Sequence, residues 1–125
     1  APIDVLFQNA DAASRGIFEA VEAHPERIFV FGANRDQNDT NATRKVVASA
    51  VIHVDRAFLK VAQAVRAGTY KPHVESETLA TGVIDLVPSP RLAELVGEDV
   101  AQQCLAAVAE AREAIVAGRI DPYGK

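Results

Sequence analysis

Several residue types that usually signal a particular class of protein are scarce in this sequence. Its 125 residues include one cysteine, no methionine and no tryptophan. A single cysteine excludes an internal disulfide bond, and no apolar run approaches the length needed to cross a bilayer. The 13 Lys and Arg residues are outnumbered by 17 Asp and Glu residues and form no basic cluster. Because this balance argues against a surface for nucleic acid or anionic membranes, no nucleic-acid partner is expected.

Motifs for catalysis, phosphate binding and metal binding are also missing. The sequence has no G-x-G-x-x-G or Walker loop and no G-x-S-x-G nucleophile turn. The spacing Asn34-x-Asp36-x-Asn38 is similar to that of a calcium loop. However, Asp39 and Lys45 stand where such a loop needs glycine and a bidentate glutamate. The three histidines lack metal-ligand spacing, so we predict no metal, no cofactor and no enzymatic activity.

Hydrophobic patterns predict strands and helices that alternate along the chain. Continuous apolar runs predict strands over residues 3–7, 28–31, 46–53 and 82–87. Amphipathic patterns predict helices over 12–24, from 54 to a stop at Gly68, and over 98–117 with a stop at Gly118. Strands this rich in hydrophobes are typical of a parallel sheet covered on both faces. The pattern predicts one α/β domain over residues 1–125, with an open, doubly wound, mostly parallel sheet.

Local features of the predicted helices lead to three further expectations. Asp11 precedes the first helix and is predicted to cap it. Ser89 and Pro90 are predicted to begin a short helix after the fourth strand. Cys104 falls on the apolar stripe of the last helix, so its thiol is predicted to be buried and unreactive.

A polar segment, GANRDQNDTN, directly follows the second predicted strand. In open parallel sheets, ligands bind outside the carboxyl ends of the strands, and the first predicted strand ends at the same edge. We therefore predict a ligand-binding rim formed by Gln8, Asn9, Gly32, Asn34 and Asp36. The alternative is a solvated turn that binds nothing.

Several segments of the sequence resemble one known family. DVLFQNADAASRGIFEAV, FVFGANRDQ and VVASAVIHVDRAFLKVAQAVRAGTY are similar to segments of the basic membrane protein family, in the same order. The resemblance implies a flavodoxin-like lobe of a type 1 periplasmic-binding-protein fold. It also implies a substrate-binding component of a bacterial ABC importer, with an ABC permease as partner. The expected location is the periplasm or, through a lipid anchor, the cell surface.

The resemblance also implies roles for the predicted rim. Asn34 stands where the family has an aspartate that accepts a hydrogen bond from a ribose hydroxyl. Asp36 and Gln37 match residues that are expected to hold the loop in shape. Gly32 matches a glycine that lets the backbone approach the ligand. Because Ile52 stands where the family has a lysine, the expected ligand is a nucleoside-like molecule or another small polar metabolite.

The resemblance further implies that the chain is the later part of a two-lobed protein. The apolar first strand and last helix are then expected to be covered by the missing amino-terminal lobe or by self-association. Two other functions stay open at this point. One is a ligand-sensing regulatory domain of the same fold, and the other is a small α/β enzyme acting on nucleosides.

Overall fold

The computed structural model describes residues 4–122 and shows an open α/β fold built on one sheet. Its strands are β1 (Val5–Phe7), β2 (Phe29–Asn34), β3 (Val46–Ile52) and β4 (Ile84–Pro88). Its helices are α1 (Ser14–Ala23), α2 (Val54–Arg66), α3 (Leu92–Val96) and α4 (Glu98–Val116). A 3-10 turn, Asp11–Ala13, leads into α1. Each predicted strand and helix occurs within a few residues of its expected place.

The four strands lie side by side in the order β1-β2-β3-β4. Strands β1, β2 and β3 are parallel, and β4 runs antiparallel to β3. The open, mostly parallel sheet predicted from the apolar runs is therefore confirmed. The carboxyl ends of β1 and β2 meet at one edge, where the polar segment after β2 begins.

One face of the sheet packs against α1. Phe18 and Val21 of α1 are buried and form a cluster with Ile28, Val30 and Val46. Val30 and Val46, in the adjacent strands β2 and β3, are both 0% exposed. Because fully burying a side chain of this kind stabilises the fold by roughly 1.5–3 kcal/mol, this cluster holds β2 and β3 firmly in place beneath α1.

The other face of the sheet is covered by α3 and α4. Arg112 of α4 forms an ion pair with Asp85 of β4 and also donates a hydrogen bond to the carbonyl of Leu86, at 3.3 Å. Between α4 and the sheet lies an apolar groove of about 370 Å³, lined in part by Phe31 and Cys104. Cys104 is exposed, so its predicted burial is wrong. The reason is that α4 leaves this groove open where the stripe passes the sheet.

The predicted cap of the first helix is also wrong. Helix α1 begins at Ser14, its N-cap position is Ala13, and no side chain caps it. Asp11 instead adopts φ 49 and begins the 3-10 turn. The predicted helix stops are confirmed, because Gly68 and Gly118 both have φ 69, which is the left-handed conformation that glycine tolerates best.

Apolar side chains are left exposed on β1, α2 and α4 within residues 4–122, and on α4 they include Val100 and Val116. Strand β1 is at one edge of the sheet, and Val5 and Phe7 are 48% and 63% exposed. Helix α2 has no buried residue, and Phe58 on its apolar stripe is 71% exposed. Neither α2 nor any other helix in this described range is long and apolar enough to cross a membrane.

Candidate functional site

The polar segment after β2 folds back onto the sheet through the side chain of Gln37. Its Oε1 atom accepts hydrogen bonds from Gln8 Nε2 at 2.8 Å and from the backbone N–H of Ala33 at 2.9 Å. The backbone N–H of Gln37 donates to Ser49 Oγ at 3.0 Å. Gln37 therefore joins the ends of β1 and β2, through its side chain, to the middle of β3, through its backbone N–H.

Asn38 extends this network to β4 and to the segment that precedes α3. It is 2% exposed, and its Oδ1 accepts a hydrogen bond from the fully buried Ser49 at 3.2 Å. Its Nδ2 donates to the carbonyl of Val87 at 3.2 Å, and its own carbonyl accepts from Arg91 Nη2 at 3.0 Å. Buried polar groups need such partners, because an unsatisfied one costs about 1–3 kcal/mol. The network therefore fixes the loop in one conformation.

Gly32 makes this fold-back possible. A Cβ atom at this position would lie 2.7 Å from Ser49 Oγ and 2.9 Å from Gln37 Cβ, which is closer than non-bonded atoms approach. The glycine therefore makes room for the loop of the chain itself. This differs from the role that the family resemblance implied, in which the glycine admits a ligand.

The five predicted rim residues lie at one edge of the sheet but in different environments. Gln8 is 4% exposed, and its Oε1 accepts a hydrogen bond from the N–H of Ala10 at 3.0 Å, so it serves the scaffold. Asp36 is exposed and accepts from the N–H of Asn38 at 2.9 Å. Asn9 and Asn34 are exposed and lie together, with Asn34 Nδ2 3.5 Å from Asn9 Oδ1. Contact of these residues with a ligand stays a prediction.

Two open depressions lie at this edge of the sheet. One, of about 380 Å³, is lined by Gln8, Asp11 and Asn34 among others. A second, of about 390 Å³, lies over the start of α1 and is lined by Ser14 and Arg35. Both volumes are within the range of small-molecule sites. Sequence reasoning missed Ser14 and Arg35, because nothing in their spacing shows that α1 begins beside the end of β2.

The far end of the polar segment is tied to α1. Glu22 accepts hydrogen bonds from Thr43 Oγ1 at 2.6 Å and from the N–H of Arg44 at 3.1 Å. The Thr43 hydroxyl is the main reason that the pKa of Glu22 is lower than usual, and the Arg44 N–H adds to it. Lys45 donates from Nζ to the carbonyl of Val21 at 2.8 Å, near the last turn of α1. The segment is therefore held at both ends.

Comparison with known proteins gives a structural match. No family model and no curated protein matches the sequence. A crystal structure described as a transcriptional activator of the comK gene from Bacillus halodurans superposes on 95% of this chain with a TM-score of 0.75 and 22% sequence identity. The chain spans 38% of the length of that protein. At this identity the match establishes a shared fold.

The expected membership in the basic membrane protein family is wrong. No family model supports it, and a structure that shares the fold is described as a transcriptional activator. The importer function and the ABC permease as partner are withdrawn with it. The exclusion of nucleic acid, which rested on the charge balance, is withdrawn because a structure that shares the fold is described as a transcriptional activator. The resembling segments consist largely of positions that this fold itself requires, such as the apolar strands, Gly32 and Gln37. The expected location and the absence of enzymatic activity stay predictions.

Proposed function

We propose that this chain is a ligand-sensing regulatory domain that binds a small polar ligand at the carboxyl edge of β1 and β2. The observation that carries the proposal is the exposed Asn9–Asn34 amide pair, in which Asn34 lines an open depression and lies on a rigid support. Amide groups both donate and accept hydrogen bonds, so they suit the neutral polar part of a ligand, such as its hydroxyl groups or a heterocycle.

Support for a rigid site comes from the hydrogen bonds beneath it. The side chains of Gln37 and Asn38 form hydrogen bonds with Gln8, Ser49 and β4. These bonds hold the backbone that presents Asn34. A binding site gains affinity when its groups are already placed before the ligand arrives. A solved structure that shares the fold is described as a transcriptional activator, and this supports a regulatory use.

Ligand binding is tested first with a thermal-shift screen of small polar metabolites, because a ligand that binds only the folded state raises its stability. The affinity of a ligand found in this way is then measured by calorimetry. Asn34→Gly is the best variant, because it removes the amide and keeps the backbone at φ 69 unstrained. Loss of a buried hydrogen bond costs about 1–3 kcal/mol, so affinity should fall by about 5- to 150-fold. An unchanged affinity would show that Asn34 does not contact the ligand.

A matched control for this variant is Gln103→Ala, which removes an exposed amide from α4. It should bind the ligand as the wild type does. The regulatory role is tested by transcript profiling of cells that lack the gene and cells that carry each variant. Transcripts that change on deletion should return to normal with Gln103→Ala and stay altered with Asn34→Gly. Transcripts that do not respond to deletion would contradict a role in regulation.

A further inference from the structure

Ser14, the first residue of α1, has a hydroxyl group without a partner. The residue is 6% exposed, and its side chain forms no hydrogen bond with any other residue in the described range 4–122. It lines the depression over the start of α1. The hydroxyl is therefore available to a molecule in this depression.

Arg35 supplies an uncompensated positive charge to the same place. It follows directly after β2, is exposed, and lines three adjoining depressions at this edge. Within the part of the chain that the structure describes, its guanidinium forms neither an ion pair nor a hydrogen bond. Arg15 also lines the depression but pairs with Glu19 at 2.8 Å. Arg35 is thus the cation that is free to meet a ligand.

The start of α1 adds to this positive character. The helix has 10 residues, and a helix N-terminus carries a partial positive charge from its aligned peptide groups. This partial charge adds to the charge of Arg35, because Ser14 and Arg35 line the same depression. A donor hydroxyl, a guanidinium and a helix start together are the groups that bind a carboxylate or a phosphate.

Acidic residues near this depression limit which anions fit. Asp11 lines it and pairs with no Lys, Arg or His among residues 4–122, so its carboxylate repels a simple anion but accepts a hydrogen bond from a donor group. Asp36 lies farther along the edge and accepts from the N–H of Asn38. A ligand that carries both an anionic group and a nearby hydrogen-bond donor satisfies Arg35, Ser14 and Asp11 together.

We infer that the sensed ligand carries an anionic head group, a carboxylate or a phosphate, that binds between Ser14 and Arg35 while a donor on the ligand meets Asp11. This inference rests on the proposed function and names the chemical class of its ligand. The head group binds over the start of α1, and the rest of the molecule reaches toward the Asn9–Asn34 pair.

The test uses NMR titration of the ¹⁵N-labelled chain with inorganic phosphate and, separately, with acetate, at constant ionic strength in sodium chloride. Saturable shifts of the Ser14 amide and of the Arg35 Nε–H are expected with one anion or both. Saturation by phosphate alone identifies a phosphate head group, saturation by acetate alone identifies a carboxylate, and saturation by both shows that the site recognises the charge. Shifts that grow linearly with both anions would overturn the inference.

Variants separate a built site from general electrostatic attraction. Arg35→Gln should weaken anion binding about tenfold, and Ser14→Ala about threefold, as expected for charged and neutral hydrogen bonds. Arg66→Gln, which removes the same charge from the last turn of α2, should bind as the wild type does. An equal loss in Arg66→Gln and Arg35→Gln would overturn the inference.

Failure of this inference and failure of the proposed function give different results. If an identified ligand loses affinity in Asn34→Gly but not in Arg35→Gln, the sensing site stands and the anionic head group is wrong. If anion binding depends on Arg35 while no transcript responds to deletion of the gene, the anion site stands and the regulatory role is wrong. Ser14→Ala should also leave the free protein as stable as the wild type, because it removes a hydroxyl that has no partner.

Discussion

Gly32→Ala is a direct test of the way the polar segment folds back onto the sheet. In the strand register Gly32 lies opposite Ser49. The new methyl group would lie 2.7 Å from Ser49 Oγ, 2.9 Å from Gln37 Cβ and 3.1 Å from Gln37 Oε1. Neither neighbour can move away easily. The Ser49 hydroxyl is held by two hydrogen bonds, and Gln37 Cβ is attached directly to the backbone.

The expected cost of this substitution combines two effects. Forcing an extra methyl group into a packed site costs about 1–3 kcal/mol. Displacing the Ser49 hydroxyl or Gln37 weakens at least one hydrogen bond, each worth about 1 kcal/mol. The free energy of unfolding should therefore fall by about 2–4 kcal/mol. This is a large share of the roughly 5–15 kcal/mol that is typical of a domain, so the change is easily measured.

The same substitution at Gly16 is a matched control. A Cβ atom at Gly16, within α1, meets no atom within 4 Å. Gly16→Ala should therefore raise the free energy of unfolding by about 0.5–1 kcal/mol, the usual difference between these residues in a helix. Urea denaturation followed by circular dichroism gives both values from the midpoint at constant slope. A Gly32→Ala variant as stable as the wild type would refute the placement of Gln37 and Ser49 against this strand.

Two further measurements test other parts of the structure. Hydrogen bonds from Thr43 and Arg44 lower the folded-state pKa of Glu22, so its contribution is present above the usual pKa of 4.5 and is lost as the pH falls through the lower folded value. Glu22→Gln should therefore lower the free energy of unfolding at pH 7 by only about 1 kcal/mol, because Glu22 is exposed. The variant should also lose less stability than the wild type as the pH falls, and an equal loss in both proteins would contradict this. Cys104 is exposed, so a thiol reagent should label the native chain at a rate comparable to that of the urea-unfolded chain, whereas protection would support the burial expected from the sequence.

The sequence by itself was sufficient for the elements of the fold. Continuous apolar runs identified the strands, because strands that are covered on both faces need hydrophobes at successive positions. Helix α2 was visible from its periodicity, and its end followed from Gly68, whose φ of 69 few other residues adopt without strain. These features depend on neighbouring residues in the chain, so a local pattern specifies them.

The sequence also placed the predicted rim at the correct edge of the sheet but did not determine what each residue does there. Gln8 and Asn34 are both amide residues at strand ends. In the structure Gln8 is buried and donates a hydrogen bond to Gln37, whereas Asn34 is exposed. Asn38 belonged only to a rejected calcium spacing, and in the structure it connects β3 to β4. These roles depend on partners that are distant in sequence.

Only the tertiary structure decided which polar side chains became scaffold and which remained available to a ligand. The register places Gly32 opposite Ser49, and the loop packs against the sheet there. Gln37 and Asn38 therefore form hydrogen bonds within the protein. The same packing of α1 on the sheet brings Ser14 and Arg35 to one depression. The amino-acid pattern predicts the elements because hydrophobic periodicity and turn residues are local features of the chain. The site depends on contacts between strands and helices far apart in the chain, which no local pattern encodes.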